Sequence, residues 1–316
     1  MLRKTLRKVF HAAQDWLAEP KTENDESSVL KLPPPFDYED SNRVFKQLVK
    51  QFSLRRPHFL WGALQGVNLA KALNVPRVSF VEFGVAGGNG LTALERIAEV
   101  LHAVFDVEIE IYGFDAVGGM PKATDYRDTP NLWQEGFYPM TSREELEKQL
   151  TCAKLHLGLI EQTVVEFVQA QPAPVAFVEF DFGFYSATRK ALQIFEADQS
   201  LLMPRVHCFF RNVLGRTYGD FNGERLAMSE FNAGHDLRKV SKIYGLNYYL
   251  GANTGRWLDQ YYMAHVFDHE LYGQYDGLIR EAALDLRISS TAPVSLFPEP
   301  IAVGNGVGIG SNTYQH

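Results

Sequence analysis

Cysteine is nearly absent: Cys152 and Cys208 are the only two in 316 residues. Two isolated thiols build neither a disulfide framework nor a cysteine-based zinc site, and both are expected to be reduced fillers. Long apolar runs are missing too. With no stretch of about 18 apolar residues no membrane-spanning helix is expected, and the N-terminus lacks the apolar segment of a secretion signal, so a cytoplasmic protein is expected. Positive charge is not in excess, with 31 Lys and Arg against 38 Asp and Glu and a formal net charge of −7. Affinity for a phosphate backbone comes mainly from clustered Lys and Arg, so this balance disfavours nucleic-acid partners. No segment recurs at a fixed period, which excludes solenoids and propellers.

What the chain does have is apolar surface. At 46% hydrophobic and 13% aromatic residues it can bury a large core. Residues 1 to 19 place Leu2, Leu6, Val9, Phe10, Ala13 and Leu17 at helical spacing, with Arg3, Lys4, Arg7 and Lys8 among them. Such a basic amphipathic helix packs on its own domain or on a partner subunit more often than on an anionic membrane surface. Residues 20 to 40 are charged and polar and include Pro33, Pro34 and Pro35, a composition that extends the chain. The reading is therefore a helix and linker arm over 1–40, an α/β domain over 41–288, and an irregular Pro/Gly-rich tail over 289–316.

Within the domain, helical and extended patterns alternate. Helical spacing over 41–73 precedes a buried strand at 78–84. Further strands are expected at 109–115, 154–160, 175–181 and 205–213, and helices at 88–105, 142–151, 161–170, 185–198 and 223–233. Ser142 is placed to cap the second of those helices. Residues 239–250 and 260–268, rich in Tyr and Val, predict two more strands close enough to form a hairpin. Repeated strand–helix–strand units imply a parallel sheet covered on both faces, so the expected class is α/β, doubly wound, with a mostly parallel seven-stranded sheet.

Chemistry concentrates where the first strand runs into glycines. Val81-Glu82-Phe83-Gly84-Val85-Ala86-Gly87-Gly88-Asn89-Gly90 puts a carboxylate at the strand end and glycines where the chain turns. Lacking a Cβ, such a loop lets a small molecule reach the backbone, and a helix starting near Gly88 aims free N–H groups at it. Gly88-Asn89-Gly90-Leu91-Thr92-Ala93 also satisfies a dinucleotide pattern, which makes an NAD-dependent oxidoreductase a rival. An acid just before the loop, Glu82, repels a pyrophosphate and suits an ammonium group. Asp115, ending the second strand, can accept both hydroxyls of a ribose.

The spacing from Glu82 through Gly84 and Gly88 to Gly90 resembles the first motif of class I S-adenosylmethionine-dependent methyltransferases. Gly113-Phe114-Asp115-Ala116-Val117-Gly118-Gly119-Met120-Pro121 looks like the GFDxFxGLP signature of the macrocin O-methyltransferase family. Gly158-Leu159-Ile160-Glu161-Gln162-Thr163 is similar to that family's segment after strand three. The run from Phe180 through Asp181 to Leu192 resembles its DxDLYxSTxxAL segment. The resemblance implies a Rossmann-like methyltransferase fold with an antiparallel last strand, S-adenosylmethionine as methyl donor, and a hydroxyl of a small molecule or sugar as acceptor. It further implies donor contacts from Glu82, Gly84, Gly88, Gly90 and Asp115, with Glu161 on the adenine side.

Methyl transfer from a sulfonium requires in-line alignment and removal of the acceptor's proton. Asp181 is the candidate for that base or for orienting the hydroxyl, the other reading being an acid that caps the following helix. Members of the resembled family that bind magnesium use an Asp after strand four and an Asp-Asp pair after strand five. Asp181 corresponds to the first, but the pair reads Arg211-Asn212, and Glu179 stands two residues before Asp181. Arg211 would put a fixed positive charge beside a cation, which speaks against a divalent metal. That departure also sets up the second rival, an inactive methyltransferase-like binding or assembly module. His207 reads as a core histidine. On a strand His265 and His269 would lie about 13 Å apart, too far to share an ion. Tyr248, Tyr249, Tyr261 and Tyr262 read as sheet residues. The partners expected are a small-molecule or sugar acceptor and, through the N-terminal helix, a second copy of the chain; nucleic acid and a membrane surface are not expected.

Overall fold

A computed structural model describes residues 34–36, 38–52, 56–140, 142–215, 217–250 and 255–276. The helix expected over 1–19 and the tail over 289–316 lie outside the described residues. The helical spacing before the first strand becomes two helices, α1 (Tyr38–Phe52) and α2 (Pro57–Ala72). Proline opens α2 because its φ is already helical and its missing N–H is not needed there. From Phe59 to Ala70 every residue of α2 is buried, so this helix is core on all sides. Two glycines let it lie close to the sheet. A Cβ on Gly66 would stand 2.9 Å from the Ala176 carbonyl oxygen, and one on Gly62 would run into Phe177 and the Tyr261 hydroxyl. That hydroxyl accepts the Gly62 N–H at 3.0 Å and donates to the His58 carbonyl.

Seven strands follow in alternation: β1 (Arg77–Phe83), β2 (Glu108–Asp115), β3 (Lys154–Leu157), β4 (Val175–Phe180), β5 (Leu202–Phe210), β6 (Arg238–Lys242) and β7 (Tyr261–Val266). Between them run α3 (Asn89–Phe105), α4 (Arg143–Gln149), α5 (Ile160–Gln169), α6 (Tyr185–Ala191), α7 (Gly223–Gly234) and α8 (Leu246–Leu250). The spatial order is β3-β2-β1-β4-β5-β7-β6. The first five strands are mutually parallel, and β7 is antiparallel to both β5 and β6. This is the doubly wound, Rossmann-like, mostly parallel seven-stranded sheet expected, with its last strand reversed. Every residue of β4, at the centre, is buried, as a strand covered on both faces requires. No helix among the described residues is long and apolar enough to cross a membrane.

Four local expectations are corrected. The strand expected over 239–250 stops at Lys242, because Gly245 takes a positive φ of 81° and the chain turns into α8. Strand three stops at Leu157, where Gly158 at φ 144° bends away. The helix expected over 185–198 is α-helical only to Ala191 and then tightens into a 3-10 stretch, Leu192–Glu196. Ser142 stands at the cap position of α4, but its side chain makes no capping bond.

Near their carboxyl ends the strands present two rows of opposite character. On one face Phe114, Phe83, Phe180 and Phe210 are register partners, with ring centroids 4.8, 5.3 and 4.3 Å apart. On the other, beneath α2 and α3, the register runs Gly113, Glu82, Glu179, Phe209, Tyr261. Alternation of side chains along a strand puts an aromatic layer behind one wall and two carboxyl groups behind the other.

Candidate active site

The hydrogen-bond ladder continues one residue past the ends of the strands. Gly84 N–H donates to Phe114 O at 2.9 Å, Asp181 N–H to Phe83 O at 2.9 Å, and Arg211 N–H to Phe180 O at 3.0 Å. Gly84, Asp181 and Arg211 thereby form the floor of a cleft of about 470 Å³. Its position outside the carboxyl ends of parallel strands is where open sheets of this type bind ligands. At Gly84 the backbone has φ 91°, and a Cβ would stand 2.5 Å from the Asp181 carbonyl oxygen, so only glycine lets the two strand ends lie together.

One end of the cleft is built around Asp115. Its carboxylate accepts the Ala86 N–H at 2.8 Å and the Val117 N–H at 2.6 Å, fixing the loops after β1 and β2. A carboxylate has about four acceptor positions, so two remain for a ligand. Gly158, Leu159, Ile160 and Glu161 line the wall beside it. Glu161 is paired with Lys190 at 2.7 Å, and that pair, its Lys190 hydrogen bond first, holds the Glu161 carboxyl below its ordinary range.

The expected donor contacts divide into two groups. Gly84, Asp115 and Glu161 line the cleft, as does Asp181; Glu82, Gly88 and Gly90 stand behind its wall. Gly90 lies against the Glu82 carboxylate, and a Cβ there would overlap it. A Cβ on Gly88, which has φ 78°, would overlap the Leu146 side chain from α4. Glu82 is buried, and burial, reinforced by neighbouring Glu179, pushes its carboxyl well above the ordinary range.

A long excursion between β2 and α4 roofs the cleft. Asp128, fully buried within it, accepts from the Thr124 N–H and hydroxyl at 2.9 and 2.7 Å and from the Ser186 N–H at 2.8 Å. One carboxylate thus ties the roof to the first turn of α6, where helix N–H groups lack internal partners. Trp133 from the same excursion packs on Gly183, whose Cβ would stand 2.6 Å from the indole nitrogen, and donates to the Tyr218 hydroxyl at 2.9 Å.

At the opposite end from Asp115, Asp181, Arg211 and Asn212 line the cleft together. Arg211 Nη2 donates to Glu179 Oε1 at 2.7 Å, and its Nε lies 2.7 Å from Asp181 Oδ2. The second contact is bent, an ion pair more than a directed hydrogen bond. The Asn212 amide reaches Asp181 Oδ1 at 3.4 Å and Glu224 Oε1 at 3.2 Å, while its N–H donates to Glu224 Oε2 at 2.9 Å. Burial pushes Glu179 and Glu224 each up to about 8, and it raises Asp181 as well. Removing ions from water favours the neutral acid, and Arg211 offsets only part of that cost.

A magnesium ion does not fit here. It would need hard oxygen donors in an octahedral shell, yet both acids that could offer them, Glu179 and Asp181, already face the Arg211 guanidinium. Among the described residues no group of three or more His, Cys, Asp or Glu side chains is placed to hold a metal. His265 bonds to the Tyr272 hydroxyl, and His269 to the Leu202 carbonyl and the Leu271 N–H.

His207 is buried in β5 as expected of a core histidine, but it is not the satisfied one expected, since neither ring nitrogen has a hydrogen-bond partner among the described residues; burial lowers it to about 3, so it is neutral. Cys208 is buried and Cys152 exposed. Tyr261 and Tyr262 are strand residues, whereas Tyr248 lies on α8 and is exposed; the Tyr249 side chain lies outside the described residues. Sequence reasoning missed Glu224, Asp128, Trp133 and Lys190, each of which acts through a partner at least 12 positions away. No local pattern marks them.

No protein-family profile matches the sequence, and no curated protein does. Solved structures with a similar chain path include the calicheamicin methyltransferase CalS11, at 21% identity over 72% of this chain and 96% of that one, TM-score 0.43. The O-methyltransferase NovP is 16% identical over 54% of this chain and 69% of that one, TM-score 0.41. An O-methyltransferase from Bacillus cereus in complex with SAH is 13% identical over 80% and 98%, TM-score 0.33. Likeness this distant carries no functional conclusion, which has to come from the cleft.

Proposed function

We propose that this chain is a class I S-adenosylmethionine-dependent methyltransferase, related to the macrocin O-methyltransferases, that methylates a hydroxyl of a small molecule or sugar. The observation that carries the proposal is that one cleft joins a free-edged carboxylate at the end of β2 to a carboxylate, a guanidinium and an amide at the ends of β4 and β5. When bound, the donor would supply a methyl group on a positively charged sulfur, already activated for transfer. The residues present fit such a molecule. Asp115 offers its two remaining acceptor positions to ribose hydroxyls, Gly84 admits the ligand to the floor, and Leu159 and Ile160 give an apolar wall for a base, with Glu161 at its rim.

Glu82, Gly88 and Gly90 enter this reading as the residues that shape the bend, since each is packed against a neighbour behind the wall. The same packing weighs against the NAD rival, whose pyrophosphate needs an open helix N-terminus, whereas Leu146 covers Gly88 at the start of α3. Asp181, raised by burial and facing the cleft, is placed to take the acceptor's proton.

Calorimetric titration with S-adenosylhomocysteine tests the proposal. Wild-type protein should bind it, NADH should not compete, and Asp115→Ala should weaken binding by about tenfold to a hundredfold, the worth of charge-assisted hydrogen bonds. Asp115→Asn, which keeps one acceptor for the loops, controls for misfolding. Absence of binding to the wild type would overturn the reading.

A further inference from the structure

The acceptor end of the cleft combines a fixed positive charge with aromatic walls. Arg211 keeps its side chain about a third exposed while Glu179, fully buried, and Asp181 hold it in place. Trp133, Tyr138 and Phe182 line the same cleft, and Trp133 and Tyr138 meet edge to face with centroids 6.1 Å apart. Trp133 packs on Gly183, two residues beyond Asp181, so the indole and the polar trio belong to one end.

We infer that the acceptor is a phenol, a planar aromatic ring bearing an acidic hydroxyl, and that Arg211 faces its oxygen as negative charge develops there. The inference rests on the methyl-transfer reading above and narrows its acceptor. Acidity decides between candidates. A phenolic hydroxyl ionises near pH 10, whereas a hydroxyl bonded like that of water lies far higher and normally needs a strong Lewis acid to reach neutral pH. With a guanidinium in the place of a divalent ion, this end offers one hydrogen-bonding cation of modest field. That suffices for a phenol and falls short for a sugar hydroxyl. Flat rings also match the walls, because aromatic pairs gain stabilisation beyond the area they bury.

The step balances as follows. The phenol O–H bond breaks and its proton passes to Asp181, an oxygen lone pair forms the bond to the methyl carbon, and the carbon–sulfur bond breaks with its electron pair left on sulfur. An aryl methyl ether and a neutral thioether result. The charged and titratable neighbours at this end include Glu179 from β4 and Asp181 just after it, Glu82 from β1, Glu224 from α7, Arg56 and His58 at the start of α2, Tyr218 in the loop before α7 and Tyr261 from β7. Burial favours the neutral form of the three glutamates.

A nitrophenol whose anion is coloured reads this charge directly, without turnover. Bound to the full chain together with S-adenosylhomocysteine, it should ionise about one unit or more below its value in buffer, the shift an adjacent opposite charge gives. Arg211→Met should abolish the shift while leaving S-adenosylhomocysteine affinity within about twofold, and Arg211→Lys, which keeps a charge, should retain part of it. With the donor and a chelator present, phenols should be methylated at least about 100-fold faster, by kcat/KM, than hexoses or aliphatic alcohols; Arg211→Met should lose about 10²–10³ in kcat. A nitrophenol that fails to bind, binds without the shift, or shifts equally in Arg211→Met overturns the inference, as does faster methylation of sugars or stimulation by Mg²⁺. If S-adenosylhomocysteine binds and the nitrophenol does not respond, only the acceptor assignment fails. If the nitrophenol responds and S-adenosylhomocysteine does not bind, the donor reading fails.

Discussion

The two ends of the cleft are built by different means. Around Asp115 the partners are backbone amides: the carboxylate bonds to N–H groups 2 and 29 positions away, and both loops leave adjacent strands. Around Asp181 nothing is local. Arg211 reaches back 32 positions to Glu179, Asn212 reaches 31 to Asp181, and Glu224 holds Asn212 from a helix on the far side of the loop. The first end is a frame of backbone amides that a ligand can enter without displacing anything charged. The second is a largely buried network of acids around the Arg211 guanidinium, where each group's ionisation depends on its neighbours. A fold can present a stable cofactor frame while the acceptor end changes chemistry by substitution at one or two strand ends.

Three further measurements would break or sharpen that contrast. The largest effect is expected where the ends meet. Gly84→Ala places a Cβ against the Asp181 carbonyl at a φ that disfavours side chains, and should destabilise the protein by on the order of 3 kcal/mol in urea unfolding. A change below about 1 kcal/mol would mean the floor yields easily. Next comes the pH response of the acid network. Glu224 is raised by burial to about 8, above its ordinary value near 4.5. Its contribution is therefore fully present below about pH 4.5 and is lost as pH rises through 8, because only the unfolded chain ionises freely in that window. Glu224→Gln, which keeps an acceptor for the Asn212 N–H, should flatten the fall in Tm between pH 5 and 8; parallel curves for both proteins would refute a shifted carboxyl. The smallest effect is expected at the rim of the Asp115 end. Lys190 and Glu161 are each more than a third exposed, so a double-mutant cycle with Lys190→Met and Glu161→Gln should give about 0.2–1 kcal/mol. A coupling well above that would make the pair part of the frame and no longer a solvated ornament.

The same contrast explains what was legible in the sequence. The alternation that sets the sheet was visible because β1, β4 and β5 are runs of buried residues. Gly84 and Asp181 directly follow strands and Asp115 closes one, and position relative to a strand end is a one-dimensional fact; Glu161, inside the helix after β3, was named only by the family resemblance. Glu82, Gly88 and Gly90 were assigned to a ligand because glycine signals close approach, but not of what; in the fold the near neighbours are Leu146 and the protein's own carboxylate. Arg211 was visible as a departure, yet its pairing with Glu179 depends on the register of β4 against β5. The overlong strand before α8 has a local cause, since Tyr and Val favour extension until Gly245 reverses the chain.

The Tyr261 hydroxyl joins the amide of Gly62 across 199 positions of sequence. A single phenol from the last strand thus closes the wall that the second helix began, and the notch left by Gly62 is shared by the Phe177 ring and that hydroxyl. No truncated chain ending before Tyr261 can complete this joint, however well its earlier strands assemble. Such a link also carries high contact order, the topological feature associated with slow folding: the last β-strand is the keystone of a wall begun by the second helix.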